Sequence, residues 1–91
     1  MFGDWSVSRG AAPICSLTLS NKATADEAYV LQVQQPCDGF VTRFAPTIWR
    51  MDMGELVLSN TRGDSWRFSE SESGTWRRVP DSAATAILTR K

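Results

Sequence analysis

The chain of 91 residues contains no histidine, and its ten lysines and arginines balance ten aspartates and glutamates. The absence of histidine removes the commonest general base, the Ser-His and Cys-His nucleophile pairs, and most transition-metal sites. A neutral chain without runs of like charge has no long-range field to attract nucleic acid or an anionic membrane surface. We therefore expect a protein that is not an enzyme, uses no metal or cofactor, and does not bind nucleic acid.

The carboxylates that remain also give no catalytic pattern. Glu70 and Glu72 lie in a polar turn, while Asp52 and Glu55 flank a glycine. Carboxylates in such positions are usually solvated surface groups. No glycine-rich phosphate loop follows a strand and opens a helix. These features favour a protein that acts by binding.

Long hydrophobic runs are missing as well. No stretch approaches the roughly 18 apolar residues that cross a membrane as a helix. Residues 1–4 lead straight into a strand pattern and do not form a signal peptide. We therefore expect Met1 to be an added start residue, with any export signal or lipid anchor lying upstream in the full-length protein.

Only two cysteines are present, Cys15 and Cys37, and their spacing fits no metal motif. Both lie at the ends of strand-like segments, which favours one disulfide over the alternative of two buried free thiols. Such a bridge would stabilise a domain of this size by about 3 kcal/mol. It would also indicate an oxidising compartment, such as the bacterial periplasm.

What the sequence does have is alternation of apolar and polar residues with a period of two, bounded by turn residues. This pattern predicts strands over residues 5–8, 15–20, 29–34, 47–51, 55–59, 65–69, 75–77 and 84–90. In the segment 55–59 it places Leu56 and Leu58 inward and Val57 outward. A short helix is predicted over residues 38–45, followed by Pro46 as a stop. The chain is therefore predicted to be one all-β domain over residues 1–91, an eight-stranded antiparallel up-and-down barrel that is lipocalin-like but small.

The interior of an eight-stranded barrel is just wide enough for side chains to fill it. The residues assigned to this core are Trp5, Leu17, Leu19, Trp49, Trp66, Phe68, Trp76 and Leu88. The tryptophans could instead form a carbohydrate or peptide platform, but their inward strand positions favour the core. We therefore expect no large ligand cavity, which disfavours small-ligand carriage in a lipocalin-like cup.

The order of these landmarks along the chain is itself informative. They are Gly3-x-Trp5-x-Val7, Cys15-x-Leu17-x-Leu19, Tyr29-x-Leu31, Cys37, a short helical stretch, Trp49, Leu56-x-Leu58, Gly63, Phe68, Gly74 with Trp76, and Leu88-x-Arg90. Over nearly the whole chain this order resembles the alkaline proteinase inhibitor family, the bacterial inhibitors of secreted serralysin-type zinc metalloproteases. The same order of landmarks also resembles a related domain that occurs in bacterial outer-membrane lipoproteins.

The resemblance implies a barrel with one disulfide, located in the periplasm or anchored to the outer membrane, and a secreted bacterial metalloprotease or another protease as partner. It further implies that an N-terminal trunk enters the protease cleft, where its free α-amino group approaches the catalytic zinc. Here the trunk residues are Met1, Phe2, Gly3 and Asp4, whereas the inhibitors carry a longer trunk. The alternative function is a non-inhibitory lipoprotein or envelope module that docks another protein or a cell-wall component through its barrel surface.

Overall fold

The structure is a computed structural model that describes residues 2–9, 12–24, 27–79 and 86–90. Its strands are β1 (Gly3–Arg9), β2 (Ala12–Ala23), β3 (Tyr29–Gln34), β4 (Ile48–Asp52), β5 (Glu55–Ser59), β6 (Ser65–Glu72), β7 (Thr75–Val79) and β8 (Ala86–Arg90), with one helix, α1 (Gly39–Phe44). Each strand pairs with the next, and antiparallel pairing of β8 with β1 closes the barrel. The predicted eight-stranded antiparallel barrel is therefore confirmed.

The interior of the barrel is filled by side chains from every strand. Trp5 lies opposite Leu17, and Trp76 lies opposite Leu88, so inward positions of neighbouring strands face one another. All eight residues assigned to the core from the sequence are at most 9% exposed. Full burial of one such side chain contributes about 1.5–3 kcal/mol. The barrel is thus held by a continuous apolar core.

One outward position departs from the alternation. Leu56 and Leu58 point inward and are buried, so alternation predicts that Val57 between them is exposed. Val57 is nevertheless buried as well. Its partners across the ladder are Arg50 on β4 and Arg67 on β6. Directly opposed side chains on one sheet face lie close together, and arginine stems cover apolar surface while their charged heads stay in water. The two arginine stems therefore account for the burial of this valine on the outer face.

The short helix α1 packs into the core at one end of the barrel. Val41 and Phe44 are buried, and the ring of Phe44 stacks on Trp66 with centroids 4.0 Å apart. The buried Asn60 side chain donates a hydrogen bond of 2.8 Å to the carbonyl of Phe44. This bond ties the turn between β5 and β6 to the end of α1.

The disulfide between Cys15 and Cys37 lies at the same end, with the two Cα atoms 4.5 Å apart. Next to it, the backbone N–H of Asp38 donates a hydrogen bond of 2.9 Å to the carbonyl of Ile14. Together these contacts join the beginning of β2 to the segment that leads into α1. We call this the disulfide end of the barrel. No helix in the described part of the chain has the length and apolar character needed to cross a membrane.

Candidate functional site

The opposite end of the barrel carries the N-terminus. Because the strands run up and down in order, the start of β1, the end of β8 and the hairpins β4–β5 and β6–β7 all lie at this end. Two of its connections are the turns Met53–Gly54 and Ser73–Gly74. We call it the trunk end. It is the candidate functional site because the predicted trunk begins there.

Phe2 lies against two aromatic side chains at the mouth of the barrel. Its ring meets Tyr29 and Trp49 edge to face, with centroids 5.8 Å and 5.7 Å away. Tyr29 stacks on Trp49 at 5.0 Å, and the indole Nε1 of Trp49 donates a 3.0 Å hydrogen bond to the carbonyl of Ser20. We call Tyr29 and Trp49 the aromatic platform. Because Trp49 is buried and hydrogen-bonded, the platform gives Phe2 a rigid support.

Gly3 sets the direction in which the chain leaves the barrel. Its φ of +122° lies in a region that favours glycine, and a Cβ there would lie 3.2 Å from Nη1 of Arg90. The same Nη1 donates a 3.0 Å hydrogen bond to the carbonyl of Phe2, while the guanidinium lies 4.7 Å from the ring centroid of Trp5. Strict alternation from Trp5 would point Phe2 outward. The turn at Gly3 directs it over the mouth of the barrel instead.

The structure divides the four predicted trunk residues. Met1 lies outside the described residues, and Phe2 projects beyond the sheet. Gly3 and Asp4 already belong to β1, and the Thr18 hydroxyl donates a 2.7 Å hydrogen bond to Oδ1 of Asp4. The strand thus starts two residues earlier than predicted. Asp4 is held on the sheet, and within the described part of the chain Phe2 is the residue that lies ahead of the first strand.

The exposed apolar surface of the described chain is concentrated at the trunk end. Three large hydrophobic side chains are exposed among the described residues: Phe2 at 51%, Met51 at 43% and Met53 at 95%. Phe2, Met51 and the aromatic platform, together with Glu27, line an open depression beside the mouth. Sequence reasoning did not single out Met51 or Met53. The available signal was the short Asp-Met-Gly-Glu segment between two strands, which is typical of a tight hairpin.

A group of charged residues lies on the outer face below the β4–β5 hairpin. Nη1 of Arg67 donates a 2.9 Å hydrogen bond to Oε1 of Glu55, and its Nη2 donates another to Oδ2 of Asp52. Arg50 adds a weaker ion pair, with Nη1 at 3.8 Å from Oδ2 of Asp52. We expected Asp52 and Glu55 to be solvated surface carboxylates. They are surface carboxylates that are 32% and 34% exposed, and both pair with Arg67, which joins the hairpin to β6.

The hydrogen bond from Arg67 lowers the pKa of Asp52 below its ordinary value, and the charges of Arg67 and Arg50 act in the same direction against partial burial. A carboxylate with a lowered folded-state pKa adds stability above its unfolded pKa, and this stability is lost as the pH falls through the folded value. We therefore expect Asp52→Asn to lower the melting temperature at pH 6 but to have little effect near pH 2. Thermal melts from pH 6 to pH 2 measure this difference.

The matched control for that experiment is the same substitution in an Arg67→Met background. Without the Arg67 guanidinium the pH-dependent difference between Asp52 and Asn should shrink to the smaller part that Arg50 contributes. If the difference instead persists unchanged in the Arg67→Met background, another group must hold the carboxylate.

The comparison with known proteins comes from a family model. The model described as protease inhibitor Inh matches residues 1–90, which is nearly the whole chain. No curated protein gives a significant match.

Proposed function

The chain belongs to the protease inhibitor Inh family, and from this premise we propose that it inhibits a secreted bacterial zinc metalloprotease of the serralysin type. It acts by binding. The absence of histidine agrees with this, since the chain lacks the commonest general base. Membership of a protease inhibitor family implies a protease as the partner, and we expect the chain to bind it through a surface that fits the protease cleft.

The observation that carries the proposal is the position of Phe2 on the aromatic platform. Its ring contacts and the hydrogen bond from Arg90 hold the base of the trunk beside the barrel mouth. A segment that is ordered before binding loses less conformational entropy on docking. Phe2 is therefore an ordered base from which the residues ahead of it enter the cleft.

Inside the cleft the trunk has two inhibitory effects, and the same geometry allows both. It excludes substrate from the cleft, and its N-terminal amine approaches the protease zinc. A neutral amine is a competent zinc ligand and displaces the water that the metal would otherwise activate. The barrel stays outside the cleft, because a closed eight-stranded barrel is too wide to enter it.

We further propose that the protein works in the periplasm or anchored to the outer membrane. The disulfide between Cys15 and Cys37 supports this location, because such bridges persist in oxidising compartments and are rare in the cytosol. Cell fractionation of the producing bacterium tests it. Recovery of the full-length protein only from the cytosol, with reduced cysteines, would contradict it.

Titration of a panel of secreted zinc endopeptidases tests the inhibitory function. The protein carries its natural N-terminal sequence, and we expect stoichiometric loss of proteolysis for at least one serralysin-type enzyme at sub-micromolar inhibitor. A secreted serine protease assayed under the same conditions serves as the control and should stay active. Full activity of every zinc protease at micromolar inhibitor would leave the alternative, an envelope module that docks another protein or a cell-wall component through its barrel surface.

A further inference from the structure

The tip of the β4–β5 hairpin holds a methionine in an unfavourable backbone conformation. Met53 has a φ of +52° and Gly54 a φ of +82°, so the two residues form a two-residue turn of type I′. The first position of this turn is favoured by Asn, Asp and Gly. A side chain with a Cβ and a flexible apolar tail is disfavoured there. The sequence thus places a methionine where local structure prefers a small polar residue.

The fold gains little from the side chain in return. Met53 is 95% exposed, so its thioether chain is almost entirely in water. Ala45, another residue with positive φ, has a clear structural use: it ends α1, and its N–H donates a 2.9 Å hydrogen bond to the carbonyl of Val41. A strained position without internal benefit points to a role in binding.

The surroundings of Met53 agree with an apolar contact. The other two large exposed hydrophobic side chains of the described chain, Phe2 and Met51, lie at the same end of the barrel. The carboxylates on either side of the turn, Asp52 and Glu55, are both held by Arg67. The hairpin therefore meets a partner as an apolar tip, with its flanking negative charges already paired.

We propose that the Met53 hairpin is a second contact with the protease and inserts into an apolar depression on the rim of the cleft that the trunk enters. This inference rests on the proposed function. A trunk seated in the cleft brings the trunk end against the rim, and Met53 is the most exposed apolar side chain at that end. Methionine is unbranched and polarisable, and it adapts to irregular apolar pockets. The hairpin then selects proteases whose rim carries such a pocket.

The test compares Met53→Asn with Met53→Leu against a serralysin-type protease that the wild-type protein inhibits. Asn removes the apolar side chain and suits the turn, so we expect the inhibition constant to rise by about tenfold while the melting temperature stays the same or increases. Leu keeps the apolar volume and should change the inhibition constant by less than about threefold. Thr61→Ala, an exposed turn residue of the β5–β6 hairpin at the disulfide end, is the matched control and should leave inhibition unchanged.

The outcomes separate this inference from the function on which it rests. If the wild-type protein inhibits no protease, both fail together. If it inhibits and Met53→Asn is equally potent, only the hairpin contact is refuted. Size-exclusion chromatography at the assay concentration tests whether the Met53 hairpin instead contacts a second copy of the chain. If the wild-type protein is a dimer and Met53→Asn makes it monomeric without loss of inhibition, the hairpin serves self-association and the proposal is overturned.

Discussion

Removal of residues 1 and 2 is expected to abolish inhibition and to leave the barrel folded. The deletion takes away the ring of Phe2 from the aromatic platform and the carbonyl that accepts the hydrogen bond from Arg90. It also shortens the trunk by two residues, which draws the N-terminal amine of the mature protein away from the protease zinc. We expect the inhibition constant to rise by at least about 100-fold, which corresponds to about 2.8 kcal/mol of binding free energy.

The barrel should survive this deletion because its core begins at Trp5, which is 2% exposed, whereas Phe2 is 51% exposed. The melting temperature, followed by circular dichroism, is therefore expected to fall by only a few degrees. Thr61→Ala is the matched control, because Thr61 is an exposed turn residue at the disulfide end. This substitution should change neither the inhibition constant nor the melting temperature. Retention of full inhibition by the shortened chain would show that the trunk is not the inhibitory element.

Two further variants separate the roles of the trunk. Phe2→Ala keeps the length of the trunk but releases its base from Tyr29 and Trp49, so the trunk must be ordered on binding. We expect an intermediate loss of about tenfold for this variant. Acetylation of the N-terminus leaves Phe2 in place and removes the amine as a zinc ligand. Full potency after acetylation would mean that the trunk acts by excluding substrate alone.

The fold could be predicted from the sequence because its determinants are local. Each strand carries its own alternation, and the connections carry their own turn residues, so pairing in chain order closes the barrel. The segment 29–34 was predicted with the bounds that the structure gives to β3, Tyr29–Gln34. The helix was predicted over residues 38–45 and forms over Gly39–Phe44, since Pro46 stops it shortly afterwards.

The trunk end could not be predicted in the same way because its contacts are made between residues far apart in the chain. The hydrogen bond from Arg90 to Phe2 joins residues separated by 88 positions. The turn of Phe2 over the mouth depends on the positive φ of Gly3, which a period-two pattern does not reveal. The pairing of Asp52 with Arg67 depends on the register of three strands. Single-residue patterns therefore indicated the region of the site but not its geometry.

Replacement of both cysteines by alanine is expected to give the largest loss of stability among the changes considered. The disulfide joins residues 22 positions apart, and closing a loop of that length contributes about 3 kcal/mol on the chain-entropy model. For a domain of this size such a loss lowers the melting temperature by about 15 °C. Thermal melts of wild-type protein and of Cys15→Ala/Cys37→Ala measure it. Wild-type protein in excess reductant should melt at the same temperature as the double variant.

The loss of stability in the double cysteine variant should be concentrated at the disulfide end of the barrel. Cys37 lies just before α1, whose residues Val41 and Phe44 are packed into the core there, so the bridge holds the helix in place. Amide hydrogen exchange should accordingly rise first in α1 and in the turn that Asn60 ties to it. The control is Ile14→Val, which changes the same region by one methylene group and should cost about 0.5–1.5 kcal/mol or less.

Inhibition should respond differently from stability, because the trunk lies at the other end of the barrel. Well below its melting temperature the double cysteine variant keeps Phe2 on the aromatic platform, so its inhibition constant should stay within about twofold of the wild-type value. Above that temperature both properties disappear together, since the platform belongs to the same core. Loss of inhibition by a folded double variant would show that the two ends are coupled through the barrel. An unchanged melting temperature would show that the bridge adds no stability to this core.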